Sequence, residues 1–537
     1  MVSRIVVLGL CFLVVGPAGA QVEYLDNGVV RVGADLSRGG AIAHLGQSGS
    51  SRSVVNIRDL GRYVQQSYYS GPDPYLPDGT RQHPAYAGWG WNPVQAGSVY
   101  WDTSTTLESW IRNDTLYVRS VPRQWALDDV DTACTMEQWI TLQANRVHVR
   151  NRLVNARPDT TRYAARHQEL PAVYTVGELH RLFTYTGDSP FTGDTLTQIV
   201  HSGPPWEYWT STEQWSALVD DDDWGLGVFH PGALLTVGGF AGTPGYGGPL
   251  QNATGYVSPL HTELLDHDIV YEYDYTLTLG DLQEIRDYVY RHAPPRGPQH
   301  VFTRDRQHCV PRNLSDDAPP YDGVWTLRLD EADPQVILPP AHWKADVVPV
   351  MEIRAAYRTI DDRARVFFGG PGQGFSADRV VDVPVVTDGV VRSYLVDLSR
   401  HPLYSGTIER LRFDPVATVA EGDEVDLHAI RMPATTDTPP AASGGSLSIE
   451  SVHPNPFNPR TTVWWRTEEP ARVEVDVLDT KGRHVARLVS GRTVAAGRHA
   501  VTWDGRDDAG REVASGTYLV RVRADDVVRT RKIALVR

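Results

Sequence analysis

Lysine is almost missing from this chain: Lys344, Lys481 and Lys532 are the three among 51 basic residues, and 66 acidic residues set the formal charge at −15. A chain with so negative a formal charge is a weak non-specific ligand for nucleic acid, and no nucleic-acid partner is expected. The preference for arginine over lysine reads as coding bias. Cysteine is scarce as well, with three in 537 residues. Cys11 lies in the apolar N-terminal run, which leaves Cys134 and Cys309. Export permits a disulfide between them, and two separate thiols fit equally well. After Val15 no apolar stretch is long enough to span a bilayer, so no transmembrane segment is expected. There is no Gly-x-Ser-x-Gly elbow, no phosphate-cradling loop ending in Gly-Lys, no His-Glu-x-x-His and no dinucleotide fingerprint. Serine-hydrolase, nucleotide and zinc-protease chemistries lose support, and no cofactor is expected.

What the chain does have is aromatic weight and short alternating segments. Fifteen Trp and 24 Tyr stand beside 11 Phe, with 47 Gly and 37 Pro as punctuation. Helical periodicity is rare. The expected fold class is all-β: a large N-terminal β-supersandwich, a middle β-sandwich and a C-terminal Ig-like sandwich. Trp and Tyr present flat apolar faces with a polar handle, which suits sugar stacking as well as core packing.

Arg4, the apolar run Ile5 to Val15 and Ala18-Gly19-Ala20 have the charged, apolar, small-residue order of a secretory signal peptide. The expected organisation is a signal peptide over 1–20, a first module over 21–293, a linker over 294–320, a second module over 321–433, a linker over 434–446 and a third module over 447–537. The first module closes on a strand from Asp268 to Gly280. A short helix follows over Asp281 to Tyr290, with Asp281 near its N-terminus and Leu282, Ile285 and Tyr288 or Val289 on one face. In the second module, Val350 to Tyr357, Arg365 to Phe368, Val380 to Val386, Val390 to Val396 and Ile408 to Phe413 read as strands. The Thr435 to Gly445 stretch cannot bury a core.

The last module alternates Val473, Val475 and Val477 with Glu474 and Asp476, and Tyr518, Val520 and Val522 with Leu519, Arg521 and Arg523. Pro454, Pro456 and Pro459 suit an edge or entry segment, and Gly505 and Gly510 suit tight turns. Asp504, Asp507 and Asp508 lack the order of a calcium loop and read better as turn carboxylates. The run Ser451-Val-His-Pro-Asn-Pro-Phe-Asn-Pro, with Trp503-Asp-Gly-Arg and Ser515-Gly-Thr-Tyr-Leu-Val, resembles the Ig-like C-terminal module of secreted bacterial proteins. It is similar to the flagellar-hook-capping type and to type IX secretion sorting domains. The resemblance implies a secreted or cell-surface protein whose partner is the secretion machinery.

The opening Leu25-Asp-Asn-Gly to Leu45, with its Gly39-Gly40 turn, and the closing Tyr271-Glu-Tyr-Asp-Tyr-Thr-Leu-Thr-Leu-Gly resemble galactose-mutarotase-like supersandwich domains. That implies carbohydrate binding, and the fold hosts epimerases, lyases, hydrolase domains and non-catalytic domains alike. The second module, through His342-Trp-Lys-Ala, Val350 to Tyr357 and Gly406 to Pro415, resembles carbohydrate-binding-like sandwiches. Trp325, Trp343 and Tyr357 are its candidate stacking residues, with core packing as the alternative.

Four segments hold the candidate site. The aromatic loop Tyr68 to Tyr75 with His83, Trp89 and Trp91 offers Tyr69, His83, Trp89 and Trp91 for substrate binding, or else pins a long loop to the core. In Arg166-His-Gln-Glu, a strand puts His167 and Glu169 on one face as acid and base, with Arg166 to orient a substrate carboxylate. Tyr174 follows as a binding residue. A polar strand whose His and Glu satisfy one another is the alternative. The third segment, His261 to Asp268, supplies His267 to binding and carries Glu263, Asp266 and Asp268, any of which would serve as a base under the mutarotase resemblance. Its two His and three carboxylates suit a divalent cation, but no recognised metal spacing is present, and no metal is assigned. The fourth segment, Pro204 to Trp209 with Trp215, offers Trp206 and Trp209 for a sugar groove, and Asp220 to Asp223 reads as a solvated hairpin turn. The expected function is a carbohydrate-active protein acting on or binding extracellular polysaccharide, of lyase or glycosidase type if catalytic. A non-catalytic glycan-binding, structural or adhesin protein is the alternative.

Overall fold

The computed structural model describes residues 22–293, 297–433 and 447–536, less 456, 468–469, 480–482 and 525–526. The signal peptide, the 434–446 linker and Pro456 lie outside the described residues. The described chain is almost wholly β, in antiparallel sheets. It divides into two compact units, Met1–Pro433 and Ala434–Arg537.

The first unit begins with two large sheets over one core. A ten-stranded sheet runs in the order Val22–Asp26, Val30–Asp35, Ala41–Gln47, Val64–Ser67, Arg166–Val176, Thr254–Glu263, Leu235–Ala241 and Glu207–Thr210, with Pro93–Val94 attached to Val64–Ser67 and Arg123–Gln124 attached in turn to Pro93–Val94. A nine-stranded sheet centres on Val270–Asp281, flanked by Trp224–Phe229 and Arg146–Asn155. Alternate residues of both sheets, among them Val32, Ile42, Val118, Val149, Val173, Val257 and Leu277, pack into one cluster. The Gly39–Gly40 turn is needed for closure. Both glycines have positive φ, 61° and 80°, and a Cβ on Gly39 would lie 2.4 Å from the Gln95 carbonyl oxygen.

The helix expected after the last strand spans Leu282–Arg291, with Ile285, Tyr288 and Val289 buried. Asp281 caps it: its Oδ1 accepts from the Glu284 amide at 2.8 Å, and Glu284 Oε2 accepts from the Asp281 amide.

The middle sandwich has its own core. One five-stranded sheet contains Gln299–Val301, Glu424–Arg431, Val350–Arg358, Arg392–Asp397 and Trp325–Arg328. The other contains Val310–Arg312, Gln335–Ile337, Arg410–Asp414, Arg363–Gly369 and Val380–Pro384. The expectation that 294–320 is only a linker is therefore corrected, because two of its segments are strands of this sandwich. They were missed because each is three residues long and too short for alternation to register. The Trp325, Trp343 and Tyr357 stacking readings are also corrected: all three are buried in the middle core, where they serve packing.

A buried ion-pair network ties the 305–316 loops to the first sandwich. Arg306 bridges Asp266 at 2.6 Å and Asp316 at 2.8 Å, and Arg162 pairs with the same two carboxylates. Cys134 and Cys309 are separate buried free thiols, each in a different core cluster.

The second unit pairs a three-stranded sheet, Leu447–His453, Thr461–Thr467 and Gly497–Trp503, with a four-stranded sheet, His484–Val494, Ala471–Asp479, Gly516–Ala524 and Val527–Leu535. Val473, Val475, Val477, Val520 and Val522 fill its core as the alternation predicts. Asp476 is buried rather than solvated, held by Arg487 at 3.0 Å and Arg521 at 2.7 Å. Asp507 serves its turn by accepting from the Ala509 and Arg511 amides.

Removing one partner of a buried ion pair strands the other charges. Arg306→Ala should lower the stability of the first unit by about 3–5 kcal/mol, and Asp281→Ala, which removes only a helix cap, by about 1 kcal/mol. Denaturant unfolding followed by Trp fluorescence distinguishes the two. Equal losses would contradict the burial assigned to Arg306.

Candidate functional site

The outer face of the ten-stranded sheet carries a cleft of about 480 Å³. It is built around the strand Arg166–Val176, which lies between Val64–Ser67 and Thr254–Glu263. Against the second of these neighbours the register slips: Glu169 faces Leu260 but Val173 faces Val257, four steps against three. The extra residue is a β-bulge, and Pro171, with no N–H to give the ladder, sits inside it. Strict alternation from Glu169 would present residues 171 and 173 on the same face. The bulge presents Ala172 and Tyr174 instead, so Glu169 and Tyr174 line one cleft.

Glu169 stands on the cleft floor. Tyr256 Oη donates to its Oε1 at 2.7 Å. Burial raises the Glu169 pKa above the usual carboxyl value, and hydrogen bonds from Tyr256, Tyr69 and Ser67 offset part of that rise. The walls are aromatic. Trp206 and Tyr174 pack on Tyr256 at 5.0 and 4.6 Å between ring centroids. On the other side Tyr86 meets Trp89 at 4.9 Å and Trp125 at 5.6 Å, and Tyr69 lies 6.4 Å from Trp89. Arg62 is the one cation among the described lining residues, and it is engaged by Asp59 at 3.0 Å and by the Asn252 carbonyl at 3.0 Å.

Of the expected site residues, the structure brings Tyr69, Trp89, Glu169, Tyr174 and Trp206 together. His167 shares the strand face of Glu169 but is exposed beyond the cleft lining, with its Nδ1 3.0 Å from Thr262 Oγ1 and its ring 6.3 Å from Tyr208. Arg166 pairs with Asp73 on the aromatic loop. His83 Nδ1 accepts from the Ala85 amide at 3.2 Å and caps a short turn. His267 pairs with Asp268 at 3.0 Å, away from the cleft lining.

Two expectations are corrected. Trp91 is 1 % exposed and Trp209 is 9 % exposed, and both are packed in the sandwich core, so neither offers a ring face to a ligand. Trp215 is likewise buried, with its indole N–H donated to Glu213. Asp220 to Asp223 form a hairpin turn in which Asp220 Oδ1 accepts from the Asp222 and Trp224 amides. Sequence reasoning missed Tyr86, Trp125, Asp59 and Arg62 in the lining. Tyr86 sits inside the aromatic loop already singled out, three residues before Trp89, and that proximity was the available signal.

Residues 458–527 match the FlgD Ig-like domain model. That match covers part of the second unit. No curated protein matches the chain. Among solved structures the first unit resembles a putative aldose 1-epimerase from Escherichia coli K12, at 11% identity and TM-score 0.31, covering 49% of this chain and 100% of that one. A xanthan lyase from Paenibacillus is similar over 97% of this chain and 66% of its own, at 9% identity and TM-score 0.27. An alpha-N-acetylgalactosaminidase from Bifidobacterium bifidum is similar over 51% of this chain and 40% of its own, at 14% identity and TM-score 0.30. At these scores the structural likenesses decide nothing about activity. Among the described residues no helix is long and apolar enough to cross a membrane.

A carboxyl whose pKa is higher folded than unfolded holds more protons in the folded state. Its contribution to stability therefore falls as pH rises from the unfolded value, about 4.3, through the raised folded one, and is constant above it. Glu169→Gln should abolish that fall. The unfolding free energy of the variant relative to the parent, measured at several pH values from about 4 to about 8, should rise with pH. A pH-independent difference would mean that Glu169 is not desolvated.

Proposed function

We propose that this is a secreted or surface-attached protein that acts on or binds extracellular polysaccharide through the Glu169 cleft. The observation that carries the reading is one partly buried carboxyl, raised in pKa, on the floor of an open groove walled by Tyr69, Tyr86, Trp89, Trp125, Tyr174 and Trp206. Aromatic walls bind pyranose faces, and a carboxyl whose pKa desolvation raises is better suited than an ordinary one to donate a proton to a leaving oxygen. In this reading Glu169 transfers the proton and His167, on the same strand face, is the second titratable group at the rim. Arg166 positions the aromatic loop through Asp73 rather than contacting substrate.

The engagement of Arg62 by Asp59 and Asn252 bears on the sugar. Among the described lining residues no cation is left to neutralise a uronate, so a neutral glycan and glycosidase-type chemistry fit better than uronate elimination. A non-catalytic glycan-binding reading is favoured by one fact: Glu169 is a single carboxyl, and the other lining carboxylate, Asp59, is held by Arg62. The C-terminal Ig-like unit is proposed to serve sorting or anchoring, with the secretion machinery as partner.

A glycan-array screen of the full chain, followed by reducing-end and unsaturated-product assays on each polysaccharide bound, tests this. Glu169→Gln should cut turnover by about 10²- to 10⁴-fold with binding retained. Trp89→Ala or Trp206→Ala should weaken binding roughly three- to tenfold. Binding without product in the parent protein would leave the glycan-binding reading alone, and no binding to any glycan would overturn both. Trp91→Ala should instead cost about 3–5 kcal/mol of stability.

A further inference from the structure

The strand Thr254–Glu263 has a second face. Tyr256 and Thr262 face the cleft side, where they meet Glu169 and His167. His261 and Glu263 alternate with them onto the opposite face, where they meet residues that the proposed function does not use. The His261 ring lies 5.0 Å from that of His230 and 3.9 Å from that of His308, nearly parallel to the latter. Glu263 accepts from Tyr271 Oη at 2.9 Å and bonds His308 Nδ1. His308 reaches the cluster from a loop of the middle sandwich, with a left-handed backbone of φ 62°. One ligand atom from each of His261, Glu263 and His308 falls within 4.8 Å of the other two.

A buried His–Glu ion pair explains Glu263 and His308 but not His261. That imidazole is 2 % exposed, and its Nε2 has no hydrogen-bond partner. An orphaned imidazole nitrogen beside a carboxylate and a second imidazole offers a lone pair that no hydrogen-bond donor engages. Glu263 and His308 also border a cavity of about 310 Å³, which gives the cluster room for water and a route to solvent.

We propose that His261, Glu263 and His308 bind a divalent transition-metal cation of the zinc class. Two imidazoles, with His308 releasing its ion-pair proton to solvent on loading, and one carboxylate form a three-residue set that leaves a fourth position to water from the cavity, and imidazole donors favour zinc-like cations over calcium or magnesium. The stacked rings do not share a plane, so loading requires one of them to turn. His308, on a loop, is the ring placed to do so, and its bond to Glu263 gives way to the metal. The cation would then hold the 305–309 loop of the middle sandwich against the end of the first. The site lies on the opposite strand face from Glu169 and stands or falls independently of the cleft.

The test uses the full chain, stripped with chelator and titrated with zinc sulfate by calorimetry, with thermal melts in parallel. One equivalent should bind, and the melting temperature should rise with free zinc. Calcium and magnesium chloride should give no saturable binding. His308→Gln, a loop substitution that leaves the strand intact, should weaken zinc binding at least tenfold while far-ultraviolet circular dichroism is unchanged. X-ray absorption at the zinc edge should show two imidazole ligands in the parent protein. Equal affinity in the parent and His308→Gln, a zinc shell without two imidazoles, or no saturable binding in the parent would each overturn the proposal.

Discussion

Everything in the candidate site hangs on one extra residue in the strand Arg166–Val176. That strand is hydrogen-bonded on both sides, so it cannot shift without breaking the ladder to Val64–Ser67 or to Thr254–Glu263. Inserting one residue at Pro171 reverses the facing of everything after it. Upstream, Glu169 looks outward. Downstream, Val173 returns to the core and Tyr174 turns out to join Glu169. A flush strand would bury one of the two or expose a core valine.

The same construction explains why Glu169 is chemically distinct from the chain's many other carboxylates. Several buried ones are held by arginines: Glu213 by Arg286, Asp316 by Arg306 and Arg162, Asp476 by Arg487 and Arg521. Glu169 is surrounded by phenols and a hydroxyl, which hydrogen-bond without neutralising charge, so desolvation prevails and its pKa rises. The surrounding rings both exclude water from the carboxyl and offer faces to a ligand. The opposite face of the neighbouring strand gathers imidazoles instead, because His261 and Glu263 there meet His230 and a loop from the next sandwich.

Sheet-forming alternation needs no knowledge of partners. Val473, Val475 and Val477 announce their burial, and Asp281 followed by Leu282, Ile285, Tyr288 and Val289 announces a capped amphipathic helix. The all-β class, the aromatic loop and the shared face of His167 and Glu169 were legible for the same reason, since each depends on residues within one turn or one strand. Trp91 and Trp209 were not legible as core residues. An aromatic run carries no period that says which ring turns inward, and both rings are apolar enough for either place. The Val310–Arg312 strand was hidden by its brevity, and Asp476 by a pattern that takes every alternate carboxylate for a solvated one.

The sequence by itself determined the local matters: β-strands over helices, the capped helix, the turns at Gly39–Gly40 and Asp220 to Asp223, and the resemblance at the C-terminus. Only the tertiary structure decided which residues meet. The bulge that turns Tyr174 toward Glu169 is set by pairing with a strand about ninety residues downstream. The engagement of Arg62 by Asn252, and the arrival of His308 beside His261, bring together residues far apart in the chain. Such meetings are fixed by register and by the closure of sheets over a core, and neither leaves a mark on the local order of residues.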